Sequence, residues 1–205
     1  MINQIIGTIL QILIFILVPF VVYLIRKKNL KGFLTYIGLK KSNRKANFLA
    51  VLTSLVFLTP MLILTVVSEP FREIMFDPNS TTGNLRTMNF NASAIITFLI
   101  IAIFRTFFAE EILFRGFIAK RLISVMGFQK GNSLQALIFG IVHVALFTGI
   151  ATNLVFLGVI FVFPTITAYI FGYLNEKKAN GSIVPGWIAH ALANTITYIF
   201  VGFII

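Results

Sequence analysis

Long apolar runs separated by short polar connections dominate the chain, and their lengths suit helices that cross a bilayer. Such a helix needs about 20 mostly apolar residues at 1.5 Å rise each. Residues 5–25 form the first run. It is too long for the apolar region of a typical signal peptide, and no small-x-small cleavage site follows, so a retained span is expected. Further runs at 46–67, from about Ala94, at 133–147, at 154–174 and from Pro185 onward predict the remaining crossings. Pro185 is well placed for a first helical turn. Residues 32–39 predict a short interfacial helix, 113–126 an amphipathic helix at the inner surface, and 68–93, rich in Asn, Thr and Pro, an outer loop. The predicted fold class is all-α, a polytopic transmembrane helical bundle of about six spans with short interfacial helices. One membrane domain over residues 1–205 is expected, with two N-terminal spans and the outer loop in 1–92 and a helical core in 93–205.

Composition strengthens this reading. With 205 residues, 58% hydrophobic and only 11% charged, the chain cannot bury its apolar surface in a soluble core of ordinary proportions. Its net charge of +11 would suit nucleic acid only if the basic residues lined a polar face. Instead, eight of the seventeen Lys and Arg residues (Arg26, Lys27, Lys28, Lys31, Lys40, Lys41, Arg44 and Lys45) cluster after the first apolar run. The positive-inside rule makes that stretch cytoplasmic and puts the N-terminus outside the cell membrane. The bilayer, not nucleic acid, is the expected partner. Residues 68–93 carry Glu69, Glu73 and Asp77 against Arg72 and Arg86, which lacks the positive excess of an inner loop. Without cysteine, thiolate catalysis, disulfides and cysteine-ligated metal are excluded.

Ionisable groups inside spans are costly, so each is a candidate functional residue. Of six acidic residues, only Glu110 and Glu111 end an apolar run, and both histidines of the chain, His143 and His190, lie within apolar segments on two other predicted spans. Glu111 and Arg115 stand one helical turn apart, where they can pair, while Glu110 is offset by about 100°. His190 and Asn194 share a face at the same spacing, and Phe139 lies one turn before His143. Arg105 is assigned snorkelling or pairing, with no catalytic role.

Glu110, Glu111 and Arg115 form an EExxxR motif, Phe139 and His143 an FxxxH motif, and His190 and Asn194 an HxxxN motif. In this order they resemble the CAAX-processing and bacteriocin-processing (CPBP, or ABI) intramembrane proteases, related to Rce-type CAAX prenyl endopeptidases. The resemblance covers about residues 100 to 200. It implies an endopeptidase acting on a membrane-associated peptide or protein, with roles in bacteriocin immunity, peptide processing or CAAX-type processing. Glu110 would be the general base, His143 would hold the attacking water, and His190 and Asn194 would stabilise the oxyanion. Glu111, Arg115 and Phe139 would support them. The residue types suit hydrolysis, since a proton acceptor and oxyanion donors are present without a serine or cysteine nucleophile.

Two histidines and a carboxylate also match a catalytic zinc set, so Glu110, His143 and His190 as zinc ligands is the mechanistic alternative. No HExxH occurs, and the resemblance favours hydrolysis without metal. From other classes, a proton or ion transporter could use the same buried groups as a relay, and a non-catalytic immunity scaffold could bind a peptide. An active site converging near the inner face would open towards the cytoplasm.

Overall fold

The computed structural model describes residues 2–205, with side chains described for all of these except 2–5, 103 and 105–107. Arg105 therefore lies outside the described side chains. Five helices are long and apolar enough to cross a membrane: Ile6–Lys27, Arg44–Val67, Phe128–Phe147, Leu154–Lys178 and Val184–Ile204. The sixth expected crossing is the shorter apolar helix Ala92–Ala102, which belongs to an unbroken helical run reaching Met126. The described residues contain helices and no strand, the polytopic bundle anticipated from the sequence.

In chain order the α-helices are α1 (Ile2–Lys27), α2 (Phe33–Tyr36), α3 (Arg44–Val67), α4 (Glu69–Phe76), α5 (Thr81–Thr87), α6 (Ala92–Leu99), α7 (Lys120–Met126), α8 (Phe128–Phe147), α9 (Leu154–Tyr173) and α10 (Val184–Ile199). Between α6 and α7 the winding loosens into π-helical turns at Ile100–Phe108 and Glu111–Ala119. π-Helical turns also extend α9 over Leu174–Lys178 and α10 over Phe200–Ile204. The stretch expected to be an outer loop is largely α4 and α5. Ser80 explains part of this, because its hydroxyl accepts from Gly83 N–H and caps α5. Helix α8 starts five residues before the expected 133, since the polar turn 128–132 is itself helical.

The exposure pattern is that of a bundle in lipid. Leu13, Leu17, Val56, Ile141 and Leu146 are each more than half exposed, whereas the buried positions of α3 are Ala46, Ala50, Ser54, Leu58 and Thr65. Small residues at four-residue intervals let helices approach closely where no hydrophobic effect drives them together. Ala50 accordingly packs with Phe171, Leu174 and Ala189 of the neighbouring elements. Helices α8 and α9 are joined by polar contacts as well: Asn132 Nδ2 donates to the Tyr169 carbonyl at 2.8 Å, and Gln135 Nε2 to the Ala168 carbonyl at 3.0 Å. Gly172 makes room for the first of these, since a Cβ there would stand 1.9 Å from Asn132 Oδ1.

One end of the bundle is tied together by the basic stretch and the α9–α10 turn. Lys120 Nζ donates to Glu176 Oε1 at 2.6 Å and to the Gly181 carbonyl at 2.7 Å. Ile183 N–H donates to the Gly38 carbonyl, Ser182 Oγ to that of Lys40, and Asn43 Nδ2 to that of Lys178. Burial lowers the Lys120 ammonium pKa from its ordinary value, and the facing Glu176 carboxylate opposes that shift. These bonds hold the first residues of α10 in place, six residues before His190.

Candidate active site

The central feature is a buried carboxylate with three neighbours. Glu111 and Arg115, one turn apart within the second π-helical stretch, are each 1% exposed, with Arg115 Nη1 3.1 Å from Glu111 Oε1. The rest of the guanidinium is covered by aromatic rings: its carbon lies 4.1 Å from the centre of the Phe139 ring and 5.7 Å from that of Phe171. A cation taken out of water is thus held by one carboxylate and two π faces, a combination arginine suits better than lysine.

From α10, His190 inserts against the same carboxylate, with Nδ1 3.0 Å from Glu111 Oε1. A carboxylate paired with arginine offers only lone pairs, so Nδ1 carries the proton and donates it. The other ring nitrogen, Nε2, lies 3.9 Å from Glu110 Oε2. The sequence expectation turned Glu110 away from Glu111 by about 100°. Instead both carboxylates address one imidazole, one at each nitrogen. Side-chain reach and the wider winding of an i→i+5 helix, a geometry frequent at functional sites, reconcile the two. Glu110 is the more open of the pair, with its side chain 16% exposed against 1% for Glu111.

His143, half-buried on α8, has its ring 4.3 Å from that of Phe139, and its Nδ1 is 2.9 Å from the Phe139 carbonyl oxygen. A carbonyl can only accept, so here too Nδ1 is the protonated nitrogen and Nε2 is left as an acceptor. Phe139 also meets the His190 ring edge-on at 6.2 Å between centres, which sets it between the two imidazoles and beneath Arg115. All three motifs therefore meet around Phe139, Glu111 and His190. Asn194 is half-buried one turn beyond His190 on α10.

Among the described residues no three His, Cys, Asp or Glu side chains stand together in a way that could hold a metal ion. The zinc set of Glu110, His143 and His190 is thus not gathered into a three-donor cage. His190 Nδ1 and Glu111 Oε1 are engaged with each other, which leaves Nε2 as the ring nitrogen that faces Glu110.

Two residues that sequence reasoning passed over complete the site. Phe171 packs against both Arg115 and His190, but among 23 phenylalanines nothing in its spacing marks it. Gly186 lies where α10 crosses Glu111, and a Cβ there would fall 2.7 Å from Asn175 Nδ2 and 2.9 Å from Glu111 Oε2. Gly186→Ala is therefore expected to displace Glu111 and with it His190, destabilising the chain by about 1–3 kcal/mol, the range for overpacking a core. Thermal unfolding in detergent, read beside an exposed control such as Gly158→Ala, checks this.

Residues 92–196, just over half of the chain, match the family model described as type II CAAX prenyl endopeptidase Rce1-like. No curated protein and no solved structure matches the chain.

Proposed function

The chain belongs to the Rce1-like family of type II CAAX prenyl endopeptidases, multi-pass membrane proteases, and from that premise we propose that it hydrolyses a peptide bond of a membrane-associated peptide or protein with water activated by Glu110. The single observation that carries this reading is that His190 bridges the two adjacent glutamates, 3.0 Å from Glu111 and 3.9 Å from Glu110.

The arrangement divides labour. Arg115 pairs with Glu111, and Glu111 fixes the His190 ring with its proton on Nδ1. Glu110, facing Nε2 and open to one side, is the base. A water at ordinary hydrogen-bond distance from both atoms, about 2.8 Å, fits at the apex of the gap between them. Water has two protons, one for Glu110 and one for an imidazole: His143 Nε2, an acceptor by virtue of the Phe139 carbonyl at Nδ1, takes over the hydrogen bond of the second from His190 Nε2 as the oxygen turns towards the scissile carbonyl. As the water oxygen bonds to the scissile carbonyl carbon, its proton passes to Glu110. Asn194 Nδ2 donates to the oxyanion. Collapse of the tetrahedral intermediate breaks the C–N bond, and the proton held by Glu110 leaves with the amine.

The site opens towards the cytoplasm in this account. Support comes from the basic stretch 26–45, which is bonded to the α9–α10 turn at the end of the bundle from which His190 is reached. Bacteriocin immunity or peptide maturation are roles such a protease could serve.

The experiment is reconstitution of the full chain in phosphatidylcholine and phosphatidylglycerol vesicles with a panel of internally quenched peptides, some carrying a prenylated cysteine. Wild type is expected to cleave part of the panel. Asn194→Ala should lower kcat by about 10²–10³-fold, the usual loss for one oxyanion donor, with little change in KM. A transporter using the same groups as a proton relay would tolerate that substitution and move ions across the vesicle instead.

A further inference from the structure

We propose that Asn175, which lies outside all three motifs, is a positioning residue for this site: its amide Nδ2 donates to Glu111 Oε2 and thereby fixes the carboxylate that holds His190. The proposal rests on the reading of His190 and Glu110 as the hydrolytic centre.

Asn175 sits in the π-helical turn Leu174–Lys178 and is 1% exposed. Its orientation is determined by one bond: Gly186 N–H donates to Oδ1 at 2.8 Å, and since only oxygen can accept there, Nδ2 must occupy the other position. Glu111 has the complementary need. Oε1 lies 3.1 Å from Arg115 Nη1 and 3.0 Å from His190 Nδ1, while Oε2 is buried with no hydrogen-bond partner of its own, as are Asn175 Nδ2 and the guanidinium nitrogens of Arg115. The orphan donor and the orphan acceptor border the same spot, since both lie within 3 Å of the position a Gly186 Cβ would take. The absence of a side chain at Gly186 leaves that spot open to both. A buried donor and a buried acceptor left unmade are each costly, and a small closing movement satisfies both at once. Glu111 then has donors on both oxygens and cannot swing away from His190 Nδ1.

The plainer role for Asn175 is that of a remote cap, since Gly186 N–H is one of the first N–H groups of α10, which the helix leaves free. Asn175→Asp separates the two. It keeps an acceptor for Gly186 N–H and replaces the donor facing Glu111 with a carboxylate.

The test uses the full chain with ¹⁵N-labelled histidine, where the presence of only two histidines allows assignment through a His143→Gln variant. In Asn175→Asp the ring-nitrogen shifts of His190 are expected to move and kcat on the vesicle peptide panel to fall about 10–100-fold with KM unchanged, as when the partner of a liganding side chain is removed, while the second buried carboxylate beside Glu111 also lowers the thermal midpoint. Wild-type His190 shifts together with wild-type kcat would overturn the proposal and leave Asn175 a cap. Should Asn175→Asp fail to fold, the neutral Asn175→Ala, which removes the donor, is expected to show moved His190 shifts, and wild-type shifts in it overturn the proposal. If the wild-type chain cleaves nothing, moved His190 shifts still support positioning by Asn175 while the hydrolytic reading falls; unmoved shifts end the positioning role whatever the rates.

Discussion

Replacing Arg115 with leucine is expected to destabilise the chain by about 3–5 kcal/mol, the cost of leaving one member of a buried ion pair unpaired. Glu111 would remain 1% exposed with its negative charge facing apolar helices. The guanidinium also fills the space between Phe139 and Phe171, so its loss removes packing as well as charge. Chemical unfolding in mixed micelles measures the effect. A second variant gives the expectation more force: Arg115→Leu combined with Glu111→Leu should recover most of the lost stability, because removing both charges of a buried pair is often close to neutral. That double variant should nevertheless be inactive, since His190 Nδ1 has lost its acceptor. A single Arg115→Leu variant as stable as wild type would show that the ion pair is not what holds these elements together.

Glu110→Gln is the second large effect, and it falls on rate instead of stability. The amide has the shape of the carboxyl but cannot take a proton from water, so kcat is expected to drop by about 10²–10⁴-fold, the usual contribution of a general base. The thermal midpoint should hardly move, because Glu110 is the more exposed of the two glutamates. Glu111→Gln should behave differently, losing stability and activity together, since Glu111 contacts both Arg115 and His190. Adjacent residues of one type would then be distinguished by burial, one serving the chemistry and the other the architecture.

Much of this was legible in the sequence, for physical reasons that apply unevenly. Apolar run length announced the spanning helices because lipid demands it, and the scarcity of ionisable residues within those runs made Glu110, Glu111, His143 and His190 conspicuous. The four-residue spacing correctly paired Glu111 with Arg115. Other features could not be read. The π-helical turns at Ile100–Phe108 and Glu111–Ala119 depend on tertiary packing and leave no mark in periodicity, so the sequence does not show the joint approach of both glutamates to His190. Pro, Asn and Thr dominate the stretch that forms α4 and α5 and give it the composition of a loop, although Ser80 is a capping residue. Asn175 and Gly186 carry no pattern at all, since their importance arises only where the α9–α10 turn folds back over Glu111.

The most direct test of the central claim, that Glu110 activates water in a site built by the three motifs, is cleavage of the vesicle peptide panel by the purified chain before and after exhaustive chelation, run beside Glu110→Gln with metal content measured in each sample. The account predicts wild-type cleavage that survives removal of metal and disappears in Glu110→Gln. Cleavage abolished by chelation and restored by zinc, or full activity in Glu110→Gln, would contradict it.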